Sequence, residues 1–206
     1  MVPHLIVTER VVARAYEVAD AEAMDAAMKA NHLRLREWMP WAWDEPQTID
    51  TRRNLLTMFR TKFDAGEDFM MGMFDRESGA LLGGTGLHPR VGPGALEIGY
   101  WLKADAEGHG LMTEVAGALT QVALGLGLAE RVEIHCDPAN ERSRAVPTRL
   151  GYVREDTRME PCGTGGEDRL SEIWAIDAGR YAGTLVDSSP RPALADAQER
   201  PIAWPS

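Results

Sequence analysis

A strand, a glycine-containing turn and a long helix are predicted to follow one another between Glu97 and Leu126. The run from Glu97 to Leu102 has the apolar character of a strand, and Gly108-His109-Gly110 follows it closely. Apolar residues then recur at intervals of three and four, which predicts an amphipathic helix that ends at Gly125 or Gly127. They are Leu111, Val115, Leu119, Val122 and Leu126. Because the first N–H groups of a helix lack partners within it and the helix dipole is positive there, this turn is a predicted phosphate site.

The glycine turn by itself leaves the kind of site open. Glycines also occur in strand-to-helix connections simply because they turn the chain, so a structural role stays open. A P-loop is excluded because no Gly-Lys-Ser/Thr follows, and a dinucleotide fingerprint would need a glycine at Thr113. A dinucleotide-binding fold would also need alternating strands and helices from the N-terminus, whereas three successive strands are predicted before this turn.

The remaining sequence predicts a mixed α/β chain. Leu5 to Arg14 is rich in β-branched residues and predicts one strand. Turn residues separate the middle strands, which indicates an antiparallel meander, and the last two strands face each other across the turn 163–166. The further predicted strands are 69–74, 80–87, 95–102, 131–136, 152–158 and 170–176, and the further predicted helices lie at 21–30, 48–66 and 140–150.

The composition changes at Gly183. Four prolines and little periodicity follow, which predicts a poorly packed tail over 183–206 in which Trp204 is a candidate for docking. The folded domain is therefore predicted to span 1–182.

Charge and composition exclude several classes of function. The net charge of −10 argues against non-specific nucleic-acid binding, which depends on basic side chains. No stretch reaches the roughly 18 apolar residues of a membrane span, and charged residues interrupt the N-terminus where a signal peptide needs an apolar run, so we expect a cytoplasmic protein without a membrane partner. Cys136 and Cys162 are isolated, which predicts neither a zinc site nor a disulfide. The histidines show no metal-ligand spacing; they are His4, His32, His88, His109 and His135.

Three segments carry a more specific signal. The first joins Glu97–Leu102 to Gly108–Glu114, the second runs from Asn140 to Val146 and on to Leu150-Gly151-Tyr152, and the third is Leu35–Trp41 after Asn31. In this order and spacing they resemble the GCN5-related N-acetyltransferases (the GNAT family), and within it the bacterial RimJ/RimL type that acetylates the N-termini of ribosomal proteins.

The resemblance implies an α/β GNAT fold with a mixed, mostly antiparallel sheet of about seven strands, flanked by helices and splayed at the acyl-CoA site. It implies a transferase that moves an acetyl group from acetyl-CoA directly to a primary amine, without a metal. The implied acceptor is the N-terminal α-amine of a protein. A small amine such as an aminoglycoside, a polyamine or an amino acid stays open, as does a non-catalytic CoA-binding module. Relatives often pair, so a homodimer is compatible with the resemblance.

The resemblance also assigns the CoA site by position. The family pattern Arg/Gln-x-x-Gly-x-Gly/Ala falls on Glu107, Gly110 and Met112, so this chain departs from it at Glu107 and Met112. In the family the residue matching Asn140 hydrogen-bonds the pantetheine, although Asn140 also has the character of a helix N-cap. The implied CoA-binding residues are Trp101, Leu102, Glu107, Gly108, His109, Gly110, Leu111, Met112, Thr113, Asn140 and Ser143.

Attack of an amine on a thioester needs a base for the ammonium and an acid for the departing thiolate. Most relatives use a tyrosine acid where this chain has Pro147, but the RimL type places a serine at the position of Ser143, which is therefore the implied acid. Two bases are implied: Glu97, beside the cofactor strand, and Glu160, close to the base of the RimL type. Each of these three residues also has a purely structural interpretation, as a capping residue or an exposed strand residue.

An aromatic segment, Trp38-Met39-Pro40-Trp41, lies between two predicted helices. Tryptophan is more commonly a core residue. Relatives build the acceptor pocket between these helices, however, so the resemblance implies that Trp38, Pro40 and Trp41 form a substrate wall.

Overall fold

The computed structural model describes residues 1–160 and 168–205 of the 206-residue chain. These residues form one sheet of nine strands with helices on both faces. The predicted turn 163–166 and Cys162 lie outside the described residues. The strands are β1 (Leu5–Val7), β2 (Val11–Ala15), β3 (Phe69–Asp75), β4 (Leu81–His88), β5 (Ala95–Leu102), β6 (Arg131–Cys136), β7 (Val153–Glu160), β8 (Arg169–Asp177) and β9 (Ala193–Ala195).

The strands lie in the order β7-β8-β6-β5-β4-β3-β2-β1-β9. Neighbours are antiparallel throughout this order except for β5 and β6, which are parallel. The predicted mixed, mostly antiparallel sheet is thus confirmed. The expected number of seven strands is wrong, because the described residues form nine.

One additional strand comes from the N-terminus. The run from Leu5 to Arg14 was expected to be a single strand, but it forms the hairpin of β1 and β2, in which Leu5 pairs with Arg14. The polar residues between the strands make the turn, and the Thr8 hydroxyl donates a hydrogen bond of 2.9 Å to the Val11 carbonyl. A polar interruption of an apolar run therefore marks a turn here.

The other additional strand comes from the C-terminal tail, so the expectation that the tail packs poorly is wrong. Strand β9 pairs with the edge strand β1, and Val186 is fully buried. The Gln121 amide in the core donates to the Val186 carbonyl at 2.7 Å. Trp204 docks over Gly125, as its candidate role suggested, because a Cβ at Gly125 would lie 2.9 Å from its ring. The division into 1–182 and 183–206 as domain and tail stays a prediction.

Four main helices flank the sheet. The Thr48 hydroxyl caps the second of them and Gly66, with φ of 74°, ends it, as turn and cap chemistry predict. The first helix is longer than the predicted 21–30, and a turn of 3₁₀ helix (Pro40–Asp44) connects the two. The helices are α1 (Ala21–Leu35), α2 (Ile49–Ala65), α3 (Leu111–Gly125) and α4 (Glu141–Leu150), with the short helices α5 (Ala178–Tyr181) and α6 (Leu185–Ser188).

Two clusters of buried apolar side chains divide the interior. The larger joins α3, through residues such as Leu119, to strand residues such as Ile98. The smaller joins α1 and α2, through Met28 and Leu56, to Trp101. Since Ile98 and Trp101 belong to the same strand but to different clusters, β5 is covered on both faces, and the site described next lies along it.

Candidate active site

Strands β5 and β6 are paired over only part of their length. The paired residues are Ala95 with Arg131, Leu96 with Val132 and Glu97 with Glu133. Strand β5 nevertheless continues to Leu102 and β6 to Cys136. The two strands therefore separate beyond Glu97, as the predicted splay requires, and leave a gap that a ligand can enter.

The turn before α3 has the geometry of an anion site. Gly108 and Gly110 have φ of 80° and 75°, a left-handed conformation that glycine adopts without strain. No side chain caps α3 among the described residues, and its first turn closes with a bond from the Glu114 N–H to the Gly110 carbonyl, 3.1 Å long. The N–H groups of residues 111–113 are thus left for an external acceptor at the positive end of the helix dipole.

The acidic residue of this turn, Glu107, is neutralised by two arginines. Its carboxylate accepts hydrogen bonds from Arg34 of α1 and from Arg142 of α4, the latter at 2.5 Å. Arg34 also donates to the Leu102 carbonyl at 2.5 Å. Glu107 therefore joins α1 and α4 across the turn and presents no uncompensated charge to a bound phosphate.

A second acidic residue, Glu114 in the first turn of α3, is held in a similar way. Its carboxylate accepts bonds from the Thr8 hydroxyl at 2.6 Å and from the Arg10 side chain at 2.7 Å. Burial opposes ionisation of Glu114, but these bonds outweigh it, so the pKa of Glu114 lies below its ordinary value. Arg10 also donates to the His109 carbonyl at 2.8 Å, which places a guanidinium beside the glycine turn.

Ser143 lies in the first turn of α4, beside the gap. Its N–H donates to the Asn140 side chain at 3.0 Å, so Asn140 is the N-cap of α4. Its hydroxyl lies 3.1 Å from the Tyr100 hydroxyl. Burial raises the pKa of Tyr100, which keeps that phenol protonated and able to donate a hydrogen bond. Burial, followed by the Glu172 charge, raises the pKa of the neighbouring Cys136 thiol to about 11, so this thiol is a poor nucleophile at neutral pH.

Glu97, one of the predicted bases, is fixed in an ion pair. Arg90 donates two hydrogen bonds to its carboxylate, at 2.7 and 2.6 Å. Burial opposes ionisation of Glu97, but the bonds and charge of Arg90 outweigh it and hold the pKa of Glu97 below its ordinary value. A carboxylate stabilised in this way accepts a proton less readily than a free one.

Glu160, the other predicted base, lies at the end of β7 in a row of charged and titratable side chains that contact one another. The His135 ring lies between two carboxylates, with Nε2 at 2.6 Å from Glu133 and Nδ1 at 3.1 Å from Glu160. Arg158 also approaches Glu160, at 3.2 Å. Each predicted base is therefore bound by an arginine, and Glu160 also contacts a histidine that can carry a positive charge.

A cavity of about 900 Å³ lies between α1, α2 and the sheet. It brings the predicted acceptor wall and the predicted catalytic residues together, since all six of them line it. Trp101 lines it as well, and its ring meets that of Trp41 edge to face with centroids 6.3 Å apart. The six are Trp38, Pro40, Trp41, Glu97, Ser143 and Glu160. Gly99, Tyr100, His135 and Cys136, which border the gap, also line the cavity, so the cavity opens into the gap.

The predicted CoA residues 107–113 and Leu102 do not line this cavity. The anion site and the cavity are therefore separate surfaces. Three residues with the geometry to act here were not among the predicted site residues: Arg10 beside the turn, Tyr100 against Ser143, and His88 on the cavity wall. Tyr100 lies within the segment Glu97–Leu102 that carries the family resemblance, so the sequence could have indicated it. Nothing in the sequence around Arg10 indicates that it lies beside the glycine turn.

Within residues 1–160 and 168–205, no group of three or more His, Cys, Asp or Glu side chains could hold a metal ion. In the same part of the chain, no helix has both the length and the apolar character needed to cross a membrane.

Comparison with known proteins gives consistent results. The model of the family described as the acetyltransferase (GNAT) domain matches residues 10–153, which is more than half of the chain. The curated protein YdaF of Bacillus subtilis (strain 168), provisionally named a ribosomal N-acetyltransferase, is 32% identical over 152 residues, covering 72% of this chain and 81% of YdaF.

Two solved structures show the same fold. The ribosomal L7/L12 α-N-protein acetyltransferase RimL, in complex with coenzyme A, has a TM-score of 0.75 at 21% identity, covering 84% of this chain and 97% of RimL. The microcin C7 self-immunity acetyltransferase MccE, in complex with acetyl-CoA and AMP, has a TM-score of 0.76 at 18% identity, covering 82% of this chain and 93% of MccE. Both bind a CoA molecule in their crystals.

Proposed function

We propose that this chain, which belongs to the GNAT family and is an acetyl-CoA-dependent N-acetyltransferase, acetylates the N-terminal α-amine of a protein. The observation that carries this proposal is the cavity of about 900 Å³, which has aromatic and charged walls and opens into the gap between β5 and β6. Its size suits an amino-acid residue with its flanking backbone. The name of YdaF points to the same class of acceptor, and the net charge of −10 favours a cationic one.

The donor side fits the chemistry of CoA. The uncapped N–H groups of residues 111–113 and the left-handed Gly108 and Gly110 provide a backbone cradle for the pyrophosphate. Arg10, with its side chain 46% exposed, adds a cation there. Acetyl-CoA, when bound, supplies the thioester whose acetyl group is transferred. In this proposal residues 107–113, Trp101, Leu102 and Asn140 hold the donor.

Ser143 is the proposed acid. Its hydroxyl stands at the gap, where it can give a proton to the departing sulfur. The Tyr100 hydroxyl donates to the Ser143 carbonyl at 3.1 Å and lies 3.1 Å from the Ser143 hydroxyl, so it holds this residue in place. This serine occupies the position that the resemblance assigned to the acid, and here it has both a cavity and a hydrogen-bond partner.

The acceptor side is the cavity itself. Trp38, Pro40 and Trp41 form the proposed wall against which the acceptor's first residue packs. Glu97 and Glu160, which the sequence predicts as alternative bases, are the proposed carboxylates of the acceptor side, and each is already bound by an arginine. A cytoplasmic location and a homodimer also stay proposals, and light scattering in solution measures the second.

A panel of acceptors tests the proposed function. Purified protein with acetyl-CoA is offered peptides with a free N-terminus, the same peptides with a blocked N-terminus and a free lysine, a polyamine, an aminoglycoside and free amino acids. We expect thiol release, and a mass increase of one acetyl group, with the free N-terminal peptides, and much less with the Ser143→Ala variant. Acetylation of the small amines alone would overturn the choice of acceptor, and binding of CoA without any acetylation would favour a binding module.

A further inference from the structure

His88 and Asp68 form a hydrogen-bonded pair on the cavity wall. His88 Nδ1 lies 2.5 Å from Asp68 Oδ1. His88 is only 5% exposed and lines the cavity. Burial opposes ionisation of Asp68, but its bond to His88 outweighs this and holds the pKa of Asp68 below its ordinary value. In the described part of the chain, the other ring nitrogen, Nε2, has no hydrogen-bond partner.

Two glycines leave the space that the His88 ring occupies. A Cβ at Gly86, two residues before His88 on β4, would be 2.8 Å from Nε2, and a Cβ at Gly99 would be 3.0 Å from it. Gly86 and Gly99 are paired in register. Since Gly99 follows Glu97, the last residue of β5 paired with β6, Nε2 lies where the gap opens.

The other titratable groups of this wall are engaged with each other. Glu97 is bound by Arg90, and Glu160 by His135 and Arg158. The positive charge of Lys62 also lowers the pKa of Asp68, and it has the smallest effect of the named causes. Asp68 and Glu97 interact with His88 itself, and Arg90 interacts with both of these carboxylates. His135 interacts with Glu97, and Glu160 with Arg90.

We propose that His88 is the catalytic base that accepts the proton of the acceptor's ammonium, and that Asp68 is the positioning residue that orients it. In this proposal the Glu97–Arg90 ion pair takes no proton and forms a fixed polar part of the cavity wall. This inference rests on acetyl transfer, but it does not depend on which amine is the acceptor.

In this scheme His88 takes the first proton that leaves the acceptor's nitrogen. The Nε2 lone pair takes one proton from the ammonium, which gives a neutral amine and an imidazolium whose Nδ1–H stays on Asp68. The amine's lone pair then forms the C–N bond, and the C–S bond breaks with its electrons on sulfur. As the amide forms, the nitrogen passes its second proton to Ser143, which replaces the proton that Ser143 gives to the sulfur. The imidazolium returns the first proton to solvent, so the reaction releases one proton overall.

His88→Gln tests the proposal through its pH dependence. Near pH 7, loss of a general base is expected to lower kcat/KM by roughly 100-fold. An α-amine has a pKa of about 8, so at about pH 9.5 most of the acceptor is already neutral, and we expect the deficit to shrink to a few-fold. A structural defect would lower the rate equally at both pH values, so a constant deficit, or none, would overturn the proposal.

Asp68→Asn provides a second variant in case His88→Gln fails to fold. Removal of the carboxylate destabilises the imidazolium, so the acidic limb of the kcat/KM profile should move to lower pH, with a rate loss of roughly 10-fold. An unshifted limb would count against the dyad. The matched control is His4→Gln, because His4 pairs with Asp64 at 2.9 Å outside the cavity and should keep the wild-type profile. The amine that the wild type acetylates best serves in every assay, so an incorrect choice of acceptor class does not affect the outcome.

Discussion

Breaking the ion pair between Arg52 and Glu45 should destabilise the protein strongly. Their side chains are 1% and 2% exposed, and Arg52 Nη2 donates to both carboxylate oxygens at 2.6 Å. In Arg52→Met the Glu45 carboxylate keeps the Gln47 N–H, at 3.1 Å, as its remaining hydrogen-bond donor in the described residues. Removing one partner of a buried ion pair costs about 3–5 kcal/mol. At about 2–4 °C per kcal/mol for a chain of this size, Tm should fall by roughly 6–20 °C.

Urea and thermal unfolding followed by circular dichroism measure this change. Arg53→Met is the matched control, because Arg53 is the next residue of α2 and pairs with Glu22 at the surface, where an ion pair contributes little. The double variant Arg52→Met with Glu45→Leu should recover most of the lost stability, since no buried charge is left unpaired. A Tm for Arg52→Met close to that of Arg53→Met, or a double variant no better than the single one, would refute this reasoning.

The same variant should also affect the acceptor site. Glu45 follows the turn Pro40–Asp44, and its carbonyl accepts a hydrogen bond from Arg36 at 2.5 Å. If Glu45 is less firmly held, the turn before it and the aromatic side chains of Trp38 and Trp41 should become more mobile. At a temperature where Arg52→Met is folded, we expect a raised KM for the acceptor and an unchanged affinity for acetyl-CoA, measured by steady-state kinetics and calorimetry.

Three further predictions concern the donor and catalytic sites. Ser143→Ala should lower kcat by about 100-fold and leave the calorimetric Kd for acetyl-CoA unchanged; an unchanged kcat would contradict its role as the acid. Arg10→Gln should raise that Kd by about 10-fold, because it removes a cation beside the glycine turn and leaves the Glu114 charge unpaired near the phosphates; an unchanged Kd would mean that backbone contacts alone hold the donor. Because the pKa of Glu97 is lowered in the folded state, its contribution to stability is present above its unfolded pKa, about 4.3, and is lost as pH falls through the folded value. Arg90→Gln should therefore reduce the free energy of unfolding at pH 7, and urea titrations should show the difference from wild type shrinking below about pH 4.

The local elements of the fold were largely predictable from the sequence. Helix α3 and the turn before it were predicted because their signals, a three-to-four periodicity and two glycines, lie within a short stretch of chain. The resemblance supplied the splay and the grouping of the aromatic wall with Ser143. The N-terminal hairpin and the packed tail were missed, because strand β9 is fixed by an edge strand more than 180 residues away along the chain.

By itself, then, the sequence determined the family, the glycine turn before α3 and the candidates for catalysis, because each depends on residue types at short spacing. The tertiary structure decided which charged side chains pair with the residues of these sites. The partner of Glu107 on α1 is 73 residues away, and the arginine that binds Glu114 is 104 residues away. The strengths of such pairs depend on distance and burial, which residue types alone do not give. For the same reason, only the folded chain placed His88 against Asp68, with Nε2 at the opening of the gap.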